Sequence, residues 1–212
     1  MKIIVYVEGP SDKLAMQALL QPLIEQKLNE SISIEFFPAP PGDAKASVLT
    51  KVPRKAVNIL ANDLDSIVIA MPDLYPKNKA FPHVSFIELR NGIMANFDQA
   101  LNQKGINDQR VKNRFHVFCF KHDLEALLLA VPKALASHLG VASIDASWVL
   151  PVEDQDHDRP PKRIVEELYS SYGRRYRDTV DAPIVLGAAD YQQVADNCSQ
   201  CFRPFVEFLS NA

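Results

Sequence analysis

Short apolar runs alternate with longer amphipathic stretches along this chain, and several of the runs end beside an acid. Lys2 to Val7 (KIIVYV) is β-branched and unbroken, the pattern of a parallel strand buried on both faces. Ser66 to Met71 (SIVIAM) repeats it, and Arg114 to Phe120 (RFHVFCF) reads as a further strand. Ile32 to Phe37 (ISIEFF) alternates as a half-buried strand does. Between these runs the period lengthens. Lys13 to Leu28 predicts a helix whose apolar face includes Leu14, Leu19, Leu23 and Leu28, a second helix starts near Asp43, and Gly92 to Lys104 predicts a third, stopped at Gly105. Pro38-Ala39-Pro40-Pro41-Gly42 breaks regular structure, Leu74 to Pro82 reads as a loop, and Ala126 to Val131 as a short apolar helix. Strand alternating with helix predicts an α/β fold, a mostly parallel central sheet with helices on both faces.

Residues 1–150 are expected to form that domain. Beyond Leu150 the character changes. Pro151 to Pro161 (PVEDQDHDRPP) is polar and acidic and predicts a mobile loop able to gate a site. Lys162 to Ala212 reads as helices parted by a turn near Pro183 to Gly187, so 151–212 is expected as a loop and helical C-terminal part packing on the same domain.

Composition narrows the field. The 212 residues are 47% hydrophobic and 23% charged, with a formal net charge of -3, an ordinary globular balance. A stand-alone, tight nucleic-acid binder would carry a basic excess that is missing here; a local basic groove, or a partner that supplies one, is compatible. No apolar run approaches the ~20 residues of a membrane span, and the opening lacks the length and cleavage site of a signal peptide. With three cysteines, an odd count, the expected setting is a reducing cytoplasm.

The acids carry the chemistry. Glu8 follows the first strand directly, before a Gly9-Pro10 turn and a helix that Ser11 or Asp12 can cap. Asp73 stands two residues past the second buried run, and Glu125, with Asp123 beside it, past the last. Each alone reads as a turn former or cap. Together they stand where α/β proteins bind ligands, outside the carboxyl ends of strands. Neighbouring strands are about 4.8 Å apart, and two carboxylates about 4 Å apart repel by about 4 kcal/mol at an effective dielectric of about 20. A divalent cation relieves that repulsion. All-oxygen donors favour Mg²⁺ or Mn²⁺, which suit phosphodiester hydrolysis.

Other signals are weaker. Gly42 with Lys45 and Ser47 makes a small anion-holding loop without full Walker spacing. Cys198 and Cys201 form a lone CxxC, better read as buried helix cysteines than as half of a zinc site. At helical spacing His122 and Glu125 would share one face; a capping interaction is the equal alternative. Arg174-Arg175-Tyr176-Arg177, near Tyr169 and Tyr172, reads either as a phosphate- or base-holding cluster or as a solvated helix end.

The segments VYVEGPSDKLAMQALL, IVIAMPDLYP (67–76), FKHDLEALLLA (120–130), DRPPK (158–162) and CFRPFVEFL (201–209) resemble, in order, the DUF4276 family of small bacterial Toprim-like proteins; the first also resembles the Toprim branch of OLD-family nucleases. The resemblance implies a Toprim-like three-layer fold and a Mg²⁺- or Mn²⁺-dependent nuclease-type site. Carried over, Glu8, Asp12, Asp73 and Glu125 become the catalytic acids, and Glu8, Asp73, Glu125 and Asp123 the metal ligands. Lys13, Lys45, His122, Lys162 and Arg203 become phosphate or nucleic-acid contacts. An ATPase partner and a place in phage defence are implied as well. One departure matters: the usual Asp-x-Asp reads Asp73-Leu74-Tyr75 here, so its second carboxylate is missing. That leaves a second reading open, a non-catalytic adaptor or regulatory subunit with a degenerate site.

Overall fold

A computed structural model describes residues 1–212. The chain divides into two compact units, Met1–Gly9 with Ile24–Cys119, and Pro10–Leu23 with Phe120–Ala212. This division differs from the cut expected at Leu150.

The first unit holds the sheet. Strands β1 (Lys2–Val7), β2 (Ser33–Pro38), β3 (Ser66–Met71) and β4 (Phe115–Val117) run in the order β2-β1-β3-β4, all parallel. In register, Lys2 pairs with both Ser33 and Ser66, and Val7 with Pro38 and Met71. Successive residues Ile3, Ile4, Val5, Tyr6 and Val7 are all buried, so β1 is covered on both faces, as its unbroken apolar run requires. The last strand is shorter than the expected Arg114 to Phe120. Arg114 lies just before it. Its guanidinium donates to the carbonyls of Leu60, Asp63 and Ser66 at 2.7, 2.6 and 3.0 Å, covering the end of the helix that precedes β3.

That helix, α3 (Ala44–Asn62), starts on Asp43, whose carboxylate accepts from the Ala46 N–H at 2.8 Å. It follows α1 (Pro10–Leu19) and α2 (Gln21–Asn29), which replace the single helix expected over Lys13 to Leu28. Proline explains both changes. Pro10 suits a first helical position, and Pro22 sits in the first turn of α2, where its missing N–H costs little. Pro53 lies inside α3 and leaves the Leu49 carbonyl without its helical donor; the Asn96 side chain supplies one at 2.9 Å. Asn96→Leu is expected to cost about 1–2 kcal/mol through that unpaired carbonyl, read as a lower urea midpoint at unchanged slope.

Asn96 belongs to α4 (Phe86–Gln103), which begins six residues before the expected Gly92. Ser85 caps it and Glu88 reaches back to the Val84 N–H at 2.6 Å. Gly92 is not a helix start. A Cβ there would lie 2.3 Å from the Phe81 ring, so the glycine serves a close approach. A short α5 (Gln109–Lys112) completes the unit.

The second unit is helical: α1, α6 (Glu125–Leu129), α7 (Pro132–Leu139), a 3-10 turn (Val152–Asp154), α8 (Pro161–Ser171), α9 (Asp178–Gly187), α10 (Tyr191–Asn197) and α11 (Phe202–Asn211). The turn expected near Pro183 to Gly187 is instead the second half of α9. Ala182, Val185 and Leu186 are buried and α9 packs along α1; this burial overrides the proline. Gly187 lies against Ala18, where a Cβ would already be in contact at 3.4 Å.

Pro151 to Pro161 is not a free gate in its first half. Val152 and Glu153 are buried, and Glu153 accepts from the N–H groups of Gln200 and Cys201 at 2.7 and 2.9 Å, at the start of α11. Asp154 pairs with Lys121, and Gln155 bonds back to Val149 and Val152. A buried carboxylate with two amide donors is well satisfied. Glu153→Ala is expected to speed hydrogen exchange at Gln200 and Cys201 by at least about tenfold, since both amides lose their acceptor.

Candidate functional site

The expected site residues fall into two groups, one in each unit. In the first unit, the parallel pairing of Val7 with Met71 places Glu8 and Asp73 just past paired strand ends. Glu8 Oε1 accepts from the Asp73 N–H at 3.0 Å, so the first acid fixes the backbone that carries the second. Both are half-buried. Lys45, expected as a phosphate contact, is 6% exposed in the first turn of α3. Its ammonium donates to the Leu74 carbonyl at 3.2 Å and to that of Pro76, and so holds the loop after Asp73. Burial lowers its pKa; the charges of Glu8 and Asp73 oppose that shift. Leu74, at the middle position of Asp-x-Asp, is buried.

In the second unit, Asp12, Asp123 and Glu125 lie close enough to couple through their charges. Asp123 Oδ2 accepts from the Lys162 N–H at the start of α8, at 3.2 Å, while Oδ1 is buried without a hydrogen-bond partner. Burial raises the pKa of Asp123 to about 6 against the pull of Lys162, and the charge of Asp12 adds to the rise. Glu125 is 4% exposed, and its pKa is raised to about 8 by burial and then by Asp123. Lys162 and a hydrogen bond from Tyr176 oppose this. The Tyr176 hydroxyl donates to Glu125 Oε1 at 3.1 Å; Lys162 Nζ is 3.9 Å from that oxygen and 3.1 Å from Asp178. Burial works against the Lys162 charge, but Glu125 and Asp178 outweigh it and raise its pKa.

The remaining expected contacts have other surroundings. His122 is buried, and desolvation lowers its pKa, which favours a neutral ring, a poor phosphate partner. Arg203 donates to the Ala195 and Asp196 carbonyls and to the Asp196 carboxylate, closing the end of α10. Lys13 is half-buried on α1. Cys198 is buried after α10 and Cys201 is half-buried before α11. In the arginine-rich segment, Tyr176 points inward while Arg174, Arg175 and Arg177 are exposed. Its long-range bond to Glu125 carries no local sequence signal beyond an aromatic set among cations.

No three His, Cys, Asp or Glu side chains form a group ready to hold a metal ion. Mg²⁺ does not need one, because one or two carboxylates suffice when water and substrate oxygens complete its octahedron. Glu8 and Asp73 fit that smaller requirement as hard oxygen donors at a sheet edge.

The four-stranded parallel sheet with its helices defines an α/β protein. The C-terminal region of the Burkholderia pseudomallei OLD protein matches 99% of this chain over 96% of its own length, with a TM-score of 0.50 at 15% identity, a likeness of fold. The chain belongs to the DUF4276 family, described as a domain of unknown function, whose model matches residues 7–210. No curated protein gives a significant match. No helix is long and apolar enough to cross a membrane.

Proposed function

We propose that this chain hydrolyses phosphodiesters of nucleic acid with a divalent cation, Mg²⁺ or Mn²⁺, held by Glu8 and Asp73. The observation that carries the reading is the Glu8 bond to the Asp73 N–H, which presets two strand-end acids at the edge where α/β folds bind ligands. The cation, when bound, supplies charge neutralisation and a water of lowered pKa. The chain's own residues do the rest. Glu8 orients Asp73, and Lys45 fixes the following loop through the Leu74 and Pro76 carbonyls. Of the two acids expected as further ligands, Glu125 holds its proton at neutral pH in this reading, because burial raises its pKa to about 8, whereas Asp123 rises only to about 6. The formal charge of -3 suits a partner, an ATPase in the OLD-type resemblance, that brings the nucleic acid.

One observation favours the second reading, an adaptor with a degenerate site. Tyr75 stands where the second Asp of Asp-x-Asp would be, its hydroxyl donating to the Val84 carbonyl at 2.8 Å, and the Lys45 ammonium already lends positive charge to Glu8 and Asp73. Purified chain with Mg²⁺ or Mn²⁺ against DNA and RNA, alone and with a candidate ATPase, separates the two. Cleavage that needs the metal supports hydrolysis; Mn²⁺ calorimetry without heat up to millimolar concentration supports the adaptor.

A further inference from the structure

The hydrolytic reading leaves unused a cleft in the second unit. It has a volume of about 520 Å³ and lies between the start of α8, the arginine-rich segment and the start of α9. Its lining is charged. Lys162, Arg175 and Arg177 face Glu166 and Asp178 there. The two carboxylates are unequal. Asp178 is already matched, one oxygen to Lys162 at 3.1 Å and the other to the Thr179 N–H at 2.8 Å. Glu166 is exposed on α8, and its charge acts on Lys162. The arginines are the available groups. Arg177 lies 3.8 Å from Asp181 with its side chain 64% exposed, and Arg175 is exposed with no ion pair or hydrogen bond in the chain. Two guanidinium groups at one opening favour a planar or tetrahedral oxyanion, which arginine can grip with two parallel N–H bonds.

Beneath them the wall is built and not merely a loop surface. Tyr176 is 8% exposed, fixed by its hydroxyl on Glu125 and by its ring against Tyr169, centroid to centroid 5.1 Å. The arginines before and after it are therefore carried on an anchored backbone. The volume is that of a small-molecule site and exceeds what a bare oxyanion fills. Val180, exposed at the α9 side, offers apolar surface for the remainder of the ligand.

We propose that this cleft binds a phosphate monoester of about mononucleotide size, its phosphate on Arg175 and Arg177. The ligand is either a free nucleotide or the 5′-phosphorylated end of a single strand. The proposal does not rest on the hydrolytic reading, and its test runs in chelator so that no metal-dependent cleavage intervenes. The full chain is titrated calorimetrically with adenosine 5′-monophosphate, adenosine, inorganic phosphate, and a short single-stranded DNA with a 5′-phosphate or a 5′-hydroxyl. The expected result is binding of a 5′-phosphorylated probe at least about tenfold tighter than its unphosphorylated counterpart. Binding of the monophosphate marks a free nucleotide as the ligand, and binding of the phosphorylated strand alone marks a strand end. Arg175→Glu, exposed and without a partner to lose, is expected to weaken binding at least about tenfold at an unchanged melting temperature. Arg163→Glu, on α8 but outside the cleft lining, should leave it unaltered. Equal affinity for adenosine and its monophosphate, inorganic phosphate binding as tightly as the nucleotide, no heat with any probe, or an Arg175→Glu chain that binds normally would each overturn the proposal.

Discussion

Glu8→Gln is expected to lower metal-dependent cleavage by about 10²–10³-fold while the chain stays folded. The size follows from removing one charged ligand of a cation whose contribution to the transition state is several kcal/mol. The substitution is chosen for what it keeps. A glutamine oxygen in the place of Oε1 still accepts from the Asp73 N–H, so the bond that orders the sheet edge survives. What is lost is the charge. Asp73→Asn should fall by a similar factor, and the double variant should be little worse than either, because the two acids act on one cation. Calorimetry with Mn²⁺ should show the same ranking without nucleic acid. Circular dichroism and the urea midpoint of Glu8→Gln should match the parent. If the variant cleaves as fast as the parent and binds Mn²⁺ as tightly, Glu8 holds no cation and the hydrolytic site lies elsewhere.

Where the sequence was read well, the reason is local. Lys2 to Val7 and Ser66 to Met71 contain enough buried β-branched positions to define themselves, and both match β1 and β3 to the residue. Glu8 and Asp73 inherit their places from those strands, so their closeness follows once the strands pair in register. Punctuation residues were harder, because glycine and proline answer to packing as well as to turns. Gly92 makes room for the Phe81 ring, Gly187 lies against Ala18, and Pro183 rides inside a helix held by its buried face. The second group of acids was legible only as a list of charges. Glu125 meets Tyr176, 51 positions away, and Lys162 in the fold, and no periodicity announces such a meeting. Lys45 shows the same limit. In the sequence it reads as part of an anion-holding loop, but the loop after β3 brings two carbonyls to its ammonium and buries it.

The second large effect concerns that buried acid. Wild-type stability, measured in chelator, is expected to fall as the pH rises from about 5 to about 8.5, and Glu125→Gln should remove most of the fall. The folded pKa of Glu125, about 8, lies above its ordinary 4.5. Below pH 4.5 both folded and unfolded chains carry the proton, and the group contributes no pH dependence. Between 4.5 and 8 the unfolded chain releases the proton while the folded chain keeps it. Folding then requires proton uptake, and stability drops by up to about 1.4 kcal/mol per pH unit. The total is on the order of 4 kcal/mol by pH 8.5, beyond which both states are ionised and the slope levels. Asp123 adds a smaller drop in the same direction between its ordinary 3.8 and about 6; because the two acids are coupled, the titration belongs to the pair. Glutamine is neutral at every pH, and its oxygen can still accept from the Tyr176 hydroxyl. Glu125→Gln should therefore match the parent near pH 5 and exceed it by a few kcal/mol at pH 8.5, read from paired urea titrations. Glu125→Ala is a poorer probe, since it also empties buried volume and leaves the hydroxyl unpaired. Parallel losses in the parent and Glu125→Gln across this range would mean that Glu125 is ionised in the folded chain, with a cation, most simply Lys162, carrying the compensation.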